Sequence, residues 1–434
     1  MKDKSTVVFI YLPGKKEAVP AGRFTWDENR QEGYFMYGSK YIQRKDALPV
    51  DPVSLPLLSG TQSLKGPETK NNGFFGAIRD SMPDFWGRLV HCRILGIDSS
   101  LLSNFDLLLD SGTDRIGNLD FRDSPDAHSR DETPITLDDV VSIAKGISEF
   151  RSDRELLTEQ VKKIFRHGTS MGGARPKLTV CHEGQFWLAK FPSHGDDVAV
   201  PVVEYATLEL ARRSGITVPD TKLVHLDDVP VLLVKRFDRP GDGSRFGFLS
   251  GLSFLQKDER ERNFGYPDFA EELWRIGDRD GAMELFSRMV FNIRTHNTDD
   301  HARNIGFLVR ESGITLSPAY DLVPTESTLG VGTSFGQAMT VGSSGRDSTL
   351  DNVLSDAGKF GFSRHQAMEE IGKIMSCLSG WRDVYKECGV SQRDIDRLEW
   401  TFSVGEGALG GQRPEPSLNT DSSQSKRKNH KPGF

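Results

Sequence analysis

His296-Asn297-Thr298-Asp299-Asp300-His301-Ala302-Arg303-Asn304 is the densest run of chemically capable side chains in the 434-residue sequence. It follows an apolar stripe of helical spacing, Leu285, Met289, Val290 and Ile293, so the pattern predicts a loop held at the end of a buried helix. Asp299 and Asn304 lie five apart. That is the D-x-x-x-x-N spacing in which Asp takes the proton of a substrate hydroxyl and Asn holds magnesium during phosphoryl transfer. A pair of this kind also arises by chance in many proteins, and its meaning depends on what surrounds it.

Working outward, Asp321 stands 17 residues after Asn304 in Ser317-Pro318-Ala319-Tyr320-Asp321-Leu322. A second carboxylate there suits magnesium, which takes one or two carboxylates plus phosphate oxygens and water. Without the upstream cluster, Asp321 reads rather as a turn or helix-cap carboxylate. Upstream, Lys190 interrupts the strand-like run Phe186-Trp187-Leu188-Ala189-Lys190-Phe191, where a lysine is costly unless paired. Glu204, fourteen residues on within a helical pattern, is the expected partner, as in the Lys-to-helix-Glu pair of kinases; an edge-strand Lys and a solvated Glu are the alternative. Before that strand, His167-Gly168-Thr169-Ser170-Met171-Gly172-Gly173-Ala174-Arg175-Pro176-Lys177 is a small-residue loop whose amides can approach phosphates closely. It is neither a Walker A sequence nor G-x-G-x-x-G, and by composition a Gly-Gly turn accounts for it. The strand at 232–239, LLVKRFDR, ends where a two-lobed kinase has its hinge, so backbone groups near Lys235 and Phe237 are candidates to read adenine. The alternative is a buried strand leaving into a polar loop, with Arg236, Asp238 and Arg239 as a surface salt-bridge cluster.

The remaining sequence supplies a scaffold for such a site. With 36% apolar, 27% charged and 9% aromatic residues the chain has the composition of a globular protein of two or three units. A net charge of −7 gives no overall pull toward nucleic acid. Cys92, Cys181, Cys377 and Cys388 are scattered, without a C-x-x-C pair, and read as reduced structural thiols. No stretch approaches a membrane span or a signal-peptide core, so the expected compartment is the cytoplasm. Residues 6–41 alternate β-prone runs with turns, and 74–109 carry helical stripes. Residues 123–134 read as a linker, 137–165 as helical, and 178–237 as strand, strand, helix, strand, strand. From about 268 the apolar spacing is mainly helical, as at Met368, Ile371, Ile374 and Leu378. Beyond 405 the composition predicts a flexible basic tail.

In this combination and order, the motifs resemble the HipA family of toxin kinases, from the first strands to about residue 400. Thr298 to Asn304 is similar to that family's T-D-x-H-x-x-N loop, Tyr320-Asp321 to its metal-binding Y-D, and Val234 to Arg239 to its V-x-R-F-D-R hinge. The phrase 107–117, LLLDSGTDRIG, resembles the end of its N-terminal subdomain. The resemblance implies an α+β, two-lobed protein-kinase-like fold. Its expected units are an extra N-terminal β subdomain (1–125), a nucleotide-binding N-lobe (135–240), a helical C-lobe (241–405) and a tail (406–434). It implies a Ser/Thr protein kinase using ATP and magnesium. Asp299 would be the base, Asn304 and Asp321 the metal ligands, and Lys190, Glu204, Lys235, Phe237, Gly172, Gly173, Ala174 and His301 the nucleotide-site residues. Ser170, Gly173, Ala174 and Lys177 match an S-x-x-G-A-x-x-K loop whose serine is autophosphorylated in the family, switching the kinase off. Implied partners are a HipB-like helix-turn-helix antitoxin, operator DNA through that complex, and a protein substrate such as an aminoacyl-tRNA synthetase. Asp300 stands where some members have a small residue, and Pro176 lies within the loop.

Two other function classes remain open on sequence. His296, Asp299, Asp300 and His301 are all potential ligands of a transition metal, as in a phosphohydrolase, although Lys190 and the Ser170 loop then have no role. A catalytically silent repressor subunit, aided by Lys426, Arg427, Lys428 and Lys431, is the other.

Overall fold

The computed structural model describes residues 4–64, 73–83, 85–110, 112–129, 134–141, 144, 147, 175–258, 260–327 and 335–410. The first unit is an antiparallel five-stranded sheet in the order β4-β3-β2-β1-β5, formed by β1 (Lys4–Tyr11), β2 (Ala18–Asp27), β3 (Glu32–Tyr37), β4 (Thr61–Leu64) and β5 (Leu119–Arg122). Along β2 the alternation places Phe24 and Trp26 on the inner face. They meet Phe74 and Phe105, with Trp26 stacked on Phe105 at 6.4 Å. Phe105 belongs to the helix Asn104–Asp110, and Phe74 and Phe75 precede the helix Gly76–Asp80. The aromatic layer thus fastens both helices to the sheet.

The second unit is a four-stranded antiparallel sheet, order β6-β7-β9-β8: β6 (Lys177–His182), β7 (Gln185–Lys190), β8 (Thr221–Leu226) and β9 (Val229–Lys235). Leu178, Val180, Ala189, Val231 and Leu233 make one face, which packs on Trp86 and Val90 of the helix Phe85–Leu95 and on Val140, Ala144 and Ile147. The helix Val200–Arg213 leans on β8 and β9 through Val203, Ala206 and Leu210.

The third unit is centred on the helix Arg279–Arg294, N-capped by Asp278, whose carboxylate accepts from Gly281 N at 3.1 Å. Leu285, Phe286, Met289, Val290, Phe291 and Ile293 are all fully buried, so this helix is surrounded rather than laid on a surface. Around it stand Tyr266–Ile276, Arg364–Leu378 and Gln392–Ala408. This half is mainly helical, as its apolar spacing predicts. It also holds a three-stranded antiparallel sheet, β10 (Gly247–Ser250), β11 (Gly306–Arg310) and β12 (Gly313–Leu316). Runs of four or five residues are too short for their alternation to stand out. The last helix continues past the expected tail boundary to Ala408. A side chain at Gly405 would lie 2.3 Å from Arg294 O, so glycine there is what lets two helices approach.

A buried ionic seam joins the first unit to the end of β9. Arg236 donates to Asp114 Oδ1 (2.5 Å), Asp238 Oδ2 (2.9 Å) and Arg115 O (3.0 Å), and Arg239 donates to Asp238 Oδ2 (2.6 Å), Gly117 O (2.8 Å) and Arg115 O (2.6 Å). Asp238 also accepts from Gly117 N at 2.9 Å. The surface-cluster alternative for Arg236, Asp238 and Arg239 is therefore overturned: all three are buried, because the turn at 113–117 closes over them. All four cysteines are free thiols. Among the described residues no helix is long and apolar enough to cross a membrane.

Candidate active site

Lys190 is the last residue of β7, and its register is set by a tight turn. Glu183 (φ +52) and Gly184 (φ +71) both take left-handed backbone at the hairpin tip, the requirement of a two-residue type I′ turn. Counting outward, that turn pairs Lys190 with Lys177 across the ladder. Two cations directly opposite one another repel. The compensation comes from elsewhere in the chain: Lys190 Nζ reaches Glu204 Oε1 at 2.5 Å and Asp321 Oδ1 at 2.9 Å. Burial opposes the ammonium form of Lys190, but Asp321 and Glu204 outweigh it and raise its pKa. Lys190 in turn holds Asp321 well below the carboxylate range, against burial, with Lys177 adding to the effect. Burial pushes the Glu204 carboxyl up, against the pull of Lys190. Lys177 was noticed in the sequence only as part of a loop pattern. The structure makes it a buried second cation facing the same acids.

Asp321 sits at φ +59, unusual for a residue with a side chain. Tyr320, just before it, packs against Phe237 at 5.7 Å and donates its hydroxyl to Arg303 O at 2.8 Å. One tyrosine thus ties the end of β9 to the loop that carries Asn304. At Lys235 the main-chain N–H goes to Asp220 O (2.9 Å) and the amine to Asp220 Oδ2 (3.3 Å). Phe237 packs between Tyr320 and Phe248.

The loop 296–304 begins as a Schellman cap on the Arg279–Arg294 helix: His296 N bonds Ile293 O (3.1 Å) and Asn297 N bonds Asn292 O (2.8 Å). Histidine, not glycine, occupies the left-handed position, at φ +56. Its ring explains the choice. Nδ1 lies 2.7 Å from Thr325 O, Thr325 N donates to His296 O at 3.0 Å, and the ring packs on Phe335 at 4.4 Å. Thr298 N adds a 3.3 Å bond to Thr325 Oγ1, so Thr325, which the sequence reading missed, clamps the loop to the segment after Asp321. Asp299 is exposed and its main-chain oxygen accepts from His301 N (2.7 Å) and Asn304 Nδ2 (3.3 Å). Asp300 turns the other way, into the core. His301 is exposed, and its charge acts on both Asp321 and Asp300.

Lys190, Glu204 and Asp321 therefore meet directly, and Tyr320 links them to the loop bearing Asp299, His301 and Asn304. Ser170, Gly172, Gly173 and Ala174 lie outside the described residues. The metallohydrolase alternative loses its geometry: His296 faces Thr325 and Asp300 faces the core, while Asp299 and His301 face solvent. Among the described residues no group of three or more His, Cys, Asp or Glu is placed to hold a metal. A magnesium shared with phosphates needs less. Asp321 gives one oxygen to Lys190 and remains 42% exposed, and Asn304 engages Asp299 O through its amide nitrogen, keeping an amide oxygen to offer. One carboxylate and one amide oxygen beside open space are donors of the right kind.

Residues 15–122 match the family described as the HipA N-terminal domain, and residues 169–381 the HipA-like C-terminal domain. The chain is 26% identical over 190 residues to the serine/threonine-protein kinase toxin HipA of Shewanella oneidensis, covering 36% of this chain and 43% of that one. It is 29% identical over 177 residues to the putative kinase Y4dM of Sinorhizobium fredii, covering 37% and 42%. Both alignments thus span about two fifths of the relative's length. With the putative kinase Y4mE of the same organism, identity is 25% over 336 residues, covering 70% and 74%. Among solved structures, Shewanella oneidensis HipA in complex with HipB and its operator DNA shares the fold. Its TM-score is 0.65 at 17% identity, over 92% of this chain and 95% of that one.

Proposed function

The chain belongs to the HipA family, and from that membership and the site geometry we propose that it is a Ser/Thr protein kinase that transfers the γ-phosphate of ATP to a protein hydroxyl. The observation that carries the proposal is the Lys190 bridge: its amine joins Glu204 (2.5 Å) to Asp321 (2.9 Å), the latter 131 residues from Lys190 in sequence. A buried lysine held charged between two acids, with Lys177 opposite, is a receptor for a polyphosphate. Asn304 and Asp321 are the residues that would hold magnesium, which supplies neutralising charge on the phosphate oxygens. In the reaction the substrate hydroxyl oxygen forms a bond to the γ-phosphorus, the bond to the β–γ bridging oxygen breaks, and ADP leaves. The exposed carboxylate of Asp299 takes the hydroxyl proton. Lys190 and Lys177 grip the phosphates, while adenine lies at the end of β9 near Lys235 and Phe237.

The finer reading follows the family. It comprises a HipB-type antitoxin and, through it, operator DNA as partners; a translation component such as an aminoacyl-tRNA synthetase as substrate; action in the cytoplasm; and autophosphorylation of Ser170 as the off-switch. The solved complex of Shewanella HipA with HipB and operator DNA supports the partners. Incubation with γ-labelled ATP and magnesium is expected to leave acid-stable label on serine or threonine, with Ser170 modified in the wild type and unmodified in Ser170→Ala. Free phosphate release with no protein label in any fraction would overturn the kinase reading.

A further inference from the structure

We infer that Asp300, through Tyr266 and Asn292, is the positioning residue that fixes the orientation of Asp299 in the catalytic loop. This rests on the kinase reading of Asp299, but the anchor itself is visible without it. Asp299 and Asp300 are neighbours with opposite fates: Asp299 is exposed and Asp300 is 4% exposed. Asp300 Oδ2 accepts from the Tyr266 hydroxyl and from Asn292 Nδ2, the latter at 2.7 Å.

Both donors are themselves immobilised. Asn292 is 2% exposed in the central helix, and its Oδ1 accepts from Asn297 Nδ2 at 3.0 Å while its Nδ2 also reaches the Tyr266 hydroxyl at 3.3 Å. Tyr266 begins the preceding helix, Tyr266–Ile276, and is fully buried, and its N–H is bonded to Thr340 O at 3.0 Å. A side chain on Gly265 would lie 2.3 Å from Thr340 backbone atoms, so the strand-like contact there admits no slack. From this base Asp300 holds the peptide that follows Asp299. On the other side of that peptide, Asp299 O is fixed by His301 N and Asn304 Nδ2. With its main chain gripped on both sides, Asp299 has a fixed Cα–Cβ direction, from which its carboxylate reaches solvent. Misplacement of a reacting group by about 1 Å costs on the order of 100-fold in rate.

The anchor also titrates. Burial pushes the Asp300 carboxyl up to about 6; Tyr266, His301 and Arg288 pull it down, and Asp321 adds to the rise. Below that pH the carboxyl carries a proton.

The experiment compares Asp300→Ala, Asp300→Asn and Tyr266→Phe with the wild type, reading two independent quantities. The first is amide hydrogen exchange in peptides covering 298–304, which needs no activity. Asp300→Ala is expected to exchange at least 10-fold faster there with the rest of the C-lobe unchanged, and Asp300→Asn, which keeps an acceptor oxygen, to return near wild type. The second is phosphotransfer. Asp300→Ala is expected to lower kcat about 100-fold with KM for ATP unchanged, Asp300→Asn to recover most of that loss and to lack the acid limb near pH 6, and Tyr266→Phe to fall between. Wild-type exchange rates in Asp300→Ala overturn the inference whether or not phosphotransfer is seen. Wild-type kcat in Asp300→Ala overturns it as well. An inactive wild type with the predicted exchange pattern supports the anchor and instead removes the kinase reading.

Discussion

Asp238→Ala is expected to lower the unfolding free energy by about 3–5 kcal/mol, the cost of breaking a buried ion pair from one side. Asp238 is 1% exposed and accepts from Arg236, Arg239 and Gly117 N. Its removal takes from the buried Arg239 the carboxylate to which it donates and leaves Arg236 with Asp114. Burial works against the Asp238 charge, yet Arg236 and Arg239 hold its carboxyl well below the ordinary range. The folded value lies below the unfolded one, so this stabilisation is complete above the unfolded pKa of about 3.9 and is lost as pH falls below it. Urea denaturation at pH 7 should therefore show the full deficit, and the gap between variant and wild type should narrow in acid. Asp238→Asn, which keeps an acceptor, should fall between the two. Equal midpoints for Asp238→Ala and wild type at pH 7 would show that the seam contributes nothing.

Asp299→Asn should reduce phosphotransfer about 10²–10⁴-fold, the range for removing a positioned general base. Asparagine keeps the size of the side chain and the loop's main-chain bonds, but it does not take the hydroxyl proton. Nucleotide affinity should be unchanged, because Lys190, Asn304 and Asp321 are untouched. Rapid-quench kinetics with an equilibrium binding measurement separate the two quantities. Full transfer activity in the variant would remove Asp299 from the mechanism.

Much of this site was legible in order along the chain, because its chemistry is local in motif. Asp299 to Asn304, Tyr320-Asp321 and Lys190 with Glu204 each stand in a recognisable setting of apolar helix, strand or loop. The Lys177–Lys190 opposition was missed, although a signal for it existed: the Glu183-Gly184 turn fixes the count on both sides of the hairpin. What stayed hidden depends on partners far apart in sequence. Arg236 and Asp238 look like a surface cluster until the turn at 113–117 closes over them. Thr325 and Tyr266 carry no motif, and their roles arise only when helix ends and loops converge on residues 296–300. Gly405 reads as the last residue before a tail, whereas its lack of a side chain is a packing requirement at Arg294. Strands β10 to β12 were lost for a different reason, their brevity.

In the proposed kinase the Lys190 amine, held by Glu204 and Asp321, receives the nucleotide's phosphates. Calorimetric titration of a non-hydrolysable ATP analogue with magnesium into wild type and Lys190→Met tests it most directly. Loss of a charge-assisted hydrogen bond of about 1.5–3 kcal/mol predicts binding roughly 10- to 100-fold weaker in the variant. Equal affinity in the two proteins would contradict the account.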